Sequence, residues 1–94
     1  MTKDWRLQNL QETSRLHGVS FTRKPYRSYR PGWDHDHCAA CWVKLAERPI
    51  EGEDVVHEGY ATNEDYIHGA EYEWVCVSCF GLFREEMGWV EISN

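Results

Sequence analysis

Apolar residues never run long enough in this 94-residue chain to cross a bilayer, and the opening Met1-Thr2-Lys3-Asp4-Trp5-Arg6 leads into polar sequence instead of an apolar signal core. Neither a membrane span nor a secretory leader is expected, and the chain is placed in the cytoplasm. Cysteine is scarce, at four residues, and none lies outside two CxxC pairs. Cations are nearly missing beyond residue 33: Lys44, Arg48 and Arg84 stand against fourteen acids there, whereas residues 1–33 carry seven cations against two acids. The formal charge of −6 thus hides a basic segment and an acidic remainder. The expected use of that opposition is internal, with the basic segment lying on the acidic part; the other use is recognition of a charged partner. Catalytic motifs are wanting too. There are no paired carboxylates and no nucleophile–base arrangement, and His57-Glu58 opens like a metalloprotease HExxH motif only to meet Ala61 where the second histidine should stand. An enzyme is not expected.

What is present is a pair of matched knuckles, Cys38-Ala39-Ala40-Cys41 and Cys76-Val77-Ser78-Cys79. Two CxxC pairs with no thiol left over suit a tetrahedral zinc site, because the two-residue gap lets neighbouring thiolates reach one ion. We expect Cys38, Cys41, Cys76 and Cys79 to hold one structural Zn²⁺. A redox role for either pair would call for a βαβ context that the chain does not offer. Disulfides within each knuckle would close very short loops and constrain the unfolded chain little; bridges between the knuckles would constrain it more, but nothing else points to secretion. Each knuckle is followed by an aromatic residue, an apolar residue and a glutamate (Trp42, Leu45, Glu47; Phe80, Phe83, Glu85), so each second cysteine is expected to start a short helix whose dipole favours thiolate. His35 and His37, in Asp34-His35-Asp36-His37-Cys38, could replace a thiol or hold a second metal with the intervening aspartates. With four thiols available, they are read instead as hydrogen-bond donors to the cysteine sulfurs or to carboxylates beside the site.

A chain this short has limited interior volume, and a zinc ion supplies roughly 10–16 kcal/mol of apparent free energy at neutral pH, comparable to the stability of a whole domain. Around that staple we expect an α+β fold: an N-terminal helix over Asp4–His17 stopped by Gly18, a strand over Val19–Thr22 before Pro25, and a helix from the first knuckle to Ala46. Strands over Val55–Thr62 and Glu71–Cys76 should form a hairpin with Tyr66–Ala70 in its loop. A helix from Cys79 to Gly88 and a brief strand over Trp89–Ile92 should follow. Residues 1–32 then form a helix and basic arm packed on a zinc domain of residues 33–94. Trp33, Trp42, Trp74 and Trp89 are the expected core material.

Knuckle, hairpin and a second knuckle opening a terminal helix, carried by the four cysteines over about residues 33–90, resemble the treble-clef zinc fold. The first knuckle lacks the usual glycine, which keeps a paired-knuckle zinc-ribbon variant open. Trp33-Asp34-His35-Asp36-His37-Cys38 with Cys41-Trp42, followed by Trp74-Val75-Cys76 with Cys79-Phe80, also looks like a set of small bacterial proteins without assigned activity; the resemblance implies a bacterial cytoplasmic protein. The function expected is that of a protein-binding module whose acidic, aromatic surface around Tyr60, Tyr66 and Tyr72 takes a basic partner, as an immunity or inhibitor protein for a basic toxin would. The alternative is nucleic-acid binding through Arg23, Lys24, Tyr26, Arg27, Tyr29 and Arg30, where rings stack on bases and cations neutralise phosphate.

Overall fold

The computed structural model describes residues 5–12, 16–27 and 35–92. They form an α+β domain of two sheets and two helices in the order α1 (Trp5–Glu12), β1 (Ser20–Pro25), β2 (His35–His37), β3 (Lys44–Ala46), β4 (Val55–Val56), β5 (Glu58–Thr62), β6 (Trp74–Val75), α2 (Val77–Met87) and β7 (Val90–Glu91). Trp33, Asp34, Tyr29 and Arg30 lie outside the described residues. No helix among the described residues is long and apolar enough to cross a membrane.

The main sheet has the order β6-β5-β1-β7, with β1 antiparallel to β5 (Phe21 opposite Thr62, Arg23 opposite Tyr60) and parallel to β7. The basic segment therefore supplies an interior strand. Pro25 ends β1 and does not cut it short, because a proline at the last strand position forfeits no interior ladder bond. The second sheet, β2-β3-β4, is small, and β2 and β3 form a hairpin whose tip is the first knuckle. A bridge between Cys38 and Trp74, with the Ala39 N–H donating to the Trp74 carbonyl at 2.9 Å, joins the two sheets.

Several elements differ from expectation. The first knuckle leads into strand β3, not a helix. The Val55–Thr62 segment splits into β4 and β5, which belong to different sheets, and the break at His57 is fixed by its carbonyl, which accepts from the Tyr26 N–H at 2.8 Å, and by its Nδ1, 2.9 Å from the Ala46 carbonyl. The second hairpin strand is only Trp74–Val75, and residues 63–73 form a loop hung on the fully buried Thr62. Its hydroxyl donates to the Gly69 carbonyl and accepts the N–H groups of Tyr72 and Glu73. Helix α1 covers Trp5–Glu12; residues 13–15 of the expected helix lie outside the described residues, and Leu16 and His17 are not α-helical.

Helix α2 follows its sequence pattern closely. Cys79, Phe80, Phe83 and Met87 are buried along one face, and Gly88 closes the helix in the left-handed region while the Trp89 N–H returns to the Arg84 carbonyl. That face packs on the main sheet through rings: Phe80 stacks on Tyr60 at 3.7 Å and on Trp89 at 5.5 Å, and Phe21 meets both Phe80 and Trp89 edge-on. The indole N–H of Trp89 donates to the Leu16 carbonyl at 2.8 Å, which closes the buried polar account there. Trp74 and Trp89 are core residues as expected, but Trp42 is not, at 65% exposed.

Three cations of β1 and the residues just after it, Arg23, Lys24 and Arg27, pair within the domain. Arg23 pairs with Glu58 at 3.0 Å, Lys24 with Glu71 at 3.5 Å, and Arg27 reaches both oxygens of Glu71 at 3.2 Å.

Gly59 marks the tightest approach between elements: a Cβ there would stand 2.8 Å from the Val75 carbonyl oxygen and 3.0 Å from Leu45 Cδ2. Backbone on β6 cannot withdraw without breaking the sheet, so Gly59→Ala should lower stability by about 2 kcal/mol. Gly81→Ala, within α2 and with open space around it, should raise stability by roughly 0.5–1 kcal/mol. Denaturant midpoints of the two zinc-loaded variants check the pair, and equal shifts would show that the contact at Gly59 is not tight.

Candidate metal centre

The residues that bring the four sulfurs together come from three elements. Cys38 follows β2, and Cys41 closes the turn that returns the chain to β3. The Cys38 N–H donates to the Val43 carbonyl at 2.9 Å, and the Trp42 N–H to the Cys38 carbonyl at 3.0 Å. Completing this turn puts Trp42 at φ 70, the left-handed conformation that glycine occupies without penalty. The missing glycine of the first knuckle has thus not cost the knuckle its geometry; it has placed a strained tryptophan at its corner. Helix α1 buttresses the same turn, since Asn9 Nδ2 donates to the Ala40 carbonyl at 2.9 Å. On the other side Cys76 occupies the N-cap of α2 in extended conformation, and Cys79 lies in the first helical turn.

The four Sγ atoms all lie within 4.8 Å of one another, and all four thiols are free. Sulfurs about 2.3 Å from a tetrahedral zinc ion are separated by about 3.8 Å; Cys41 Sγ and Cys76 Sγ are 3.7 Å apart. The donor set and its spacing fit one zinc ion held by four thiolates. Cys38, Cys76 and Cys79 are buried and Cys41 is half-buried, on a cleft of about 630 Å³ whose other walls include Val43, Val56, Arg6 and His57.

Main-chain donors surround the sulfur of Cys38: the N–H groups of Ala40, Cys41 and Cys76 approach it at 3.4, 3.5 and 3.3 Å. Such donors disperse thiolate charge, and the start of α2 adds the positive end of its dipole. Proximity sets the thiols against each other. Hydrogen bonds from Cys38 and Cys79 hold the Cys76 thiol down to about 3, whereas hydrogen bonding to Cys38 and Cys76, with burial, pushes Cys79 up. A divalent cation removes that opposition, because each sulfur then binds as thiolate and the centre carries a net charge of about −2.

His35 is half-buried and His37 exposed on β2, their rings edge to face at 5.0 Å, and neither joins the cluster. Among the described residues the four cysteines are the group of histidine, cysteine and acidic side chains placed to hold a metal. His57 also stands apart, with Nδ1 directed to the Ala46 carbonyl. Tyr60 and Tyr66, expected on the surface, are only 7% and 6% exposed; Tyr72 alone of the three is open, at 46%. Tyr60 is buried because Phe80 of α2 stacks on its ring, and Tyr66 because loop 63–73 folds back through the Tyr66 N–H to the Asn63 carbonyl. Nothing local marks Asn9 as a support for the knuckle; a helix position carries no mark of a partner thirty-one residues away.

Purified protein should contain one zinc per chain by elemental analysis, and a strong chelator should abolish its near-ultraviolet circular dichroism, because the ion contributes roughly as much free energy as the whole fold retains. Retention of tertiary signal after full metal removal would contradict this. Trp42→Gly, by relieving the left-handed strain, should be more stable than Trp42→Ala by about 1 kcal/mol, measured on zinc-loaded protein.

No protein-family model, curated protein or solved structure matches the chain.

Proposed function

We propose that this domain is a non-catalytic protein-interaction module in which zinc fixes the scaffold and an acidic surface receives a basic polypeptide. An immunity or inhibitor protein covering a basic toxin is its concrete form. The observation that carries this reading is the composition of the metal centre: four protein thiolates fill a tetrahedral ion and leave it no position for water or substrate. The scaffold is that of a treble clef or a zinc-ribbon variant, and the order of a knuckle at a hairpin tip, a second hairpin and a knuckle opening α2 supports it. Thiols kept free for metal support a cytoplasmic placement.

Charge distribution supports the choice of partner. Arg23, Lys24 and Arg27 are held by Glu58 and Glu71, so among the described residues these three cations that would meet phosphate are already paired, while Glu51, Asp54, Glu64, Asp65, Glu85 and Glu86 stand exposed. An acidic surface of this kind steers basic proteins and repels nucleic acid.

Pull-down of the zinc-loaded chain from its native host at moderate salt should recover a partner of basic surface, with affinity that falls as salt rises. Oligonucleotides titrated at low salt should produce no saturable shift. Steep, salt-sensitive oligonucleotide binding that Arg23→Ala and Arg27→Ala abolish would replace this reading with the nucleic-acid one.

A further inference from the structure

A second concavity lies away from the metal centre, where the start of β1 meets the loop hung on Thr62. It is an open depression of about 310 Å³, lined by Gly18, Val19, Asp65, Tyr66 and Ile67. Four of these five residues offer it apolar or backbone surface. The fifth is a carboxylate in a fixed position: the Ser20 hydroxyl lies 2.9 and 3.0 Å from its two oxygens, Asn63 Nδ2 donates to the Ser20 oxygen at 3.1 Å, and the Thr22 hydroxyl donates to Asn63 Oδ1 at 2.9 Å. This chain of hydrogen bonds runs from the interior strand β1 to the rim of the pocket, so the carboxylate is oriented before anything arrives. Ile67, 73% exposed, forms the outer wall and offers the slot an apolar side.

An open slot of this size, with apolar surface from Val19 and Ile67 and one oriented carboxylate at its mouth, matches a single long cationic side chain. The methylenes lie along Val19 and Ile67, and the charged head meets Asp65. Each oxygen of Asp65 keeps lone pairs beyond those Ser20 engages, so a planar donor fork can be accepted. Guanidinium sheds water more readily than ammonium and suits an apolar slot better.

We propose that the pocket between Gly18–Val19 and Asp65–Ile67 binds an arginine side chain of a basic partner polypeptide. The proposal rests on the reading of the domain as an interaction module for such a partner and names the point at which contact is specified. The pre-ordered carboxylate spares the complex part of the entropy of fixing its polar group.

The test is an amide-resolved NMR titration of the zinc-loaded full chain with N-acetyl-arginine methylamide, with its neutral citrulline counterpart, and with a short peptide of alternating arginine and leucine. Expected are saturable shifts at Val19, Asp65, Tyr66 and Ile67 with both arginine probes and none with citrulline. Asp65→Asn, which keeps the Ser20 hydrogen bond, should weaken the arginine peptide about tenfold, the loss of a charge-assisted hydrogen bond. The citrulline comparison on the unaltered chain holds even if the variant folds poorly. Equal response to arginine and citrulline, or peptide binding that moves only amides near Glu51, Asp54, Glu85 and Glu86, would overturn the pocket and leave the module standing. No binding of the basic peptide anywhere would overturn both.

Discussion

Everything in this domain depends on the meeting of Cys38 and Cys41 with Cys76 and Cys79. Strands of two or three residues cannot hold a sheet together on their own, and five of the seven strands are that short. The small sheet has only the β2–β3 hairpin and a parallel contact to β4, and it joins the main sheet where the two knuckles touch. The Cys76 N–H donates to the Cys38 sulfur, and the Ala39 N–H to the Trp74 carbonyl, so hydrogen bonding already draws the knuckles together. Those bonds are worth about 1 kcal/mol each. An ion drawing four thiolates to one point contributes an order of magnitude more, and it acts across a chain separation of about forty residues, where closing the loop is entropically expensive.

Around this junction the charges divide by position, not by composition alone. The basic segment that sequence sets apart from the rest is the centre of the main sheet, and its cations reach across β5 and the Thr62 loop to Glu58 and Glu71. Exposed pairs of this type contribute little individually. Their larger effect is to engage these cations locally with Glu58 and Glu71, while Glu64 and Asp65 stand exposed in the loop that also carries the exposed Ile67 and Tyr72. The acidity that remains at the surface comes from the excess of acids, sixteen against ten cations.

Sequence made the metal ligands and α2 legible because both rest on local, periodic or covalently spaced signals: CxxC spacing, apolar residues at helical intervals, and a glycine free to adopt φ 67 at the helix end. It misled at the first knuckle, where apolar spacing after Cys41 suggested a helix. The turn instead forces Trp42 into a conformation no helix contains, and Lys44–Ala46 pairs with β2 across the knuckle. The continuous strand expected over Val55–Thr62 breaks at His57 because its carbonyl and ring serve two different neighbours, a tertiary demand with no local trace. Burial of Tyr60 and Tyr66 and exposure of Trp42 follow from the same cause: side-chain type reports how much surface a residue has, and only the fold decides which way it faces.

Two glutamates one residue apart show how far environment separates like groups. Hydrogen bonding from Arg27 outweighs burial at Glu71 and holds its carboxyl below the usual range; burial at Glu73, with the nearby Asp36 adding to it, pushes that carboxyl up against the opposing Tyr66 hydroxyl. Stability from Glu71 is present above its unfolded pKa and is lost as pH falls through the lower folded value. Glu73 works the other way: the fold prefers it protonated, so its contribution is present at low pH and lost as pH rises through the raised folded value. The two tendencies oppose each other across the carboxylate range. With zinc bound, acid acts on the centre as well, because protons compete with the ion for all four sulfurs at once and each thiolate lost weakens the hold on the rest.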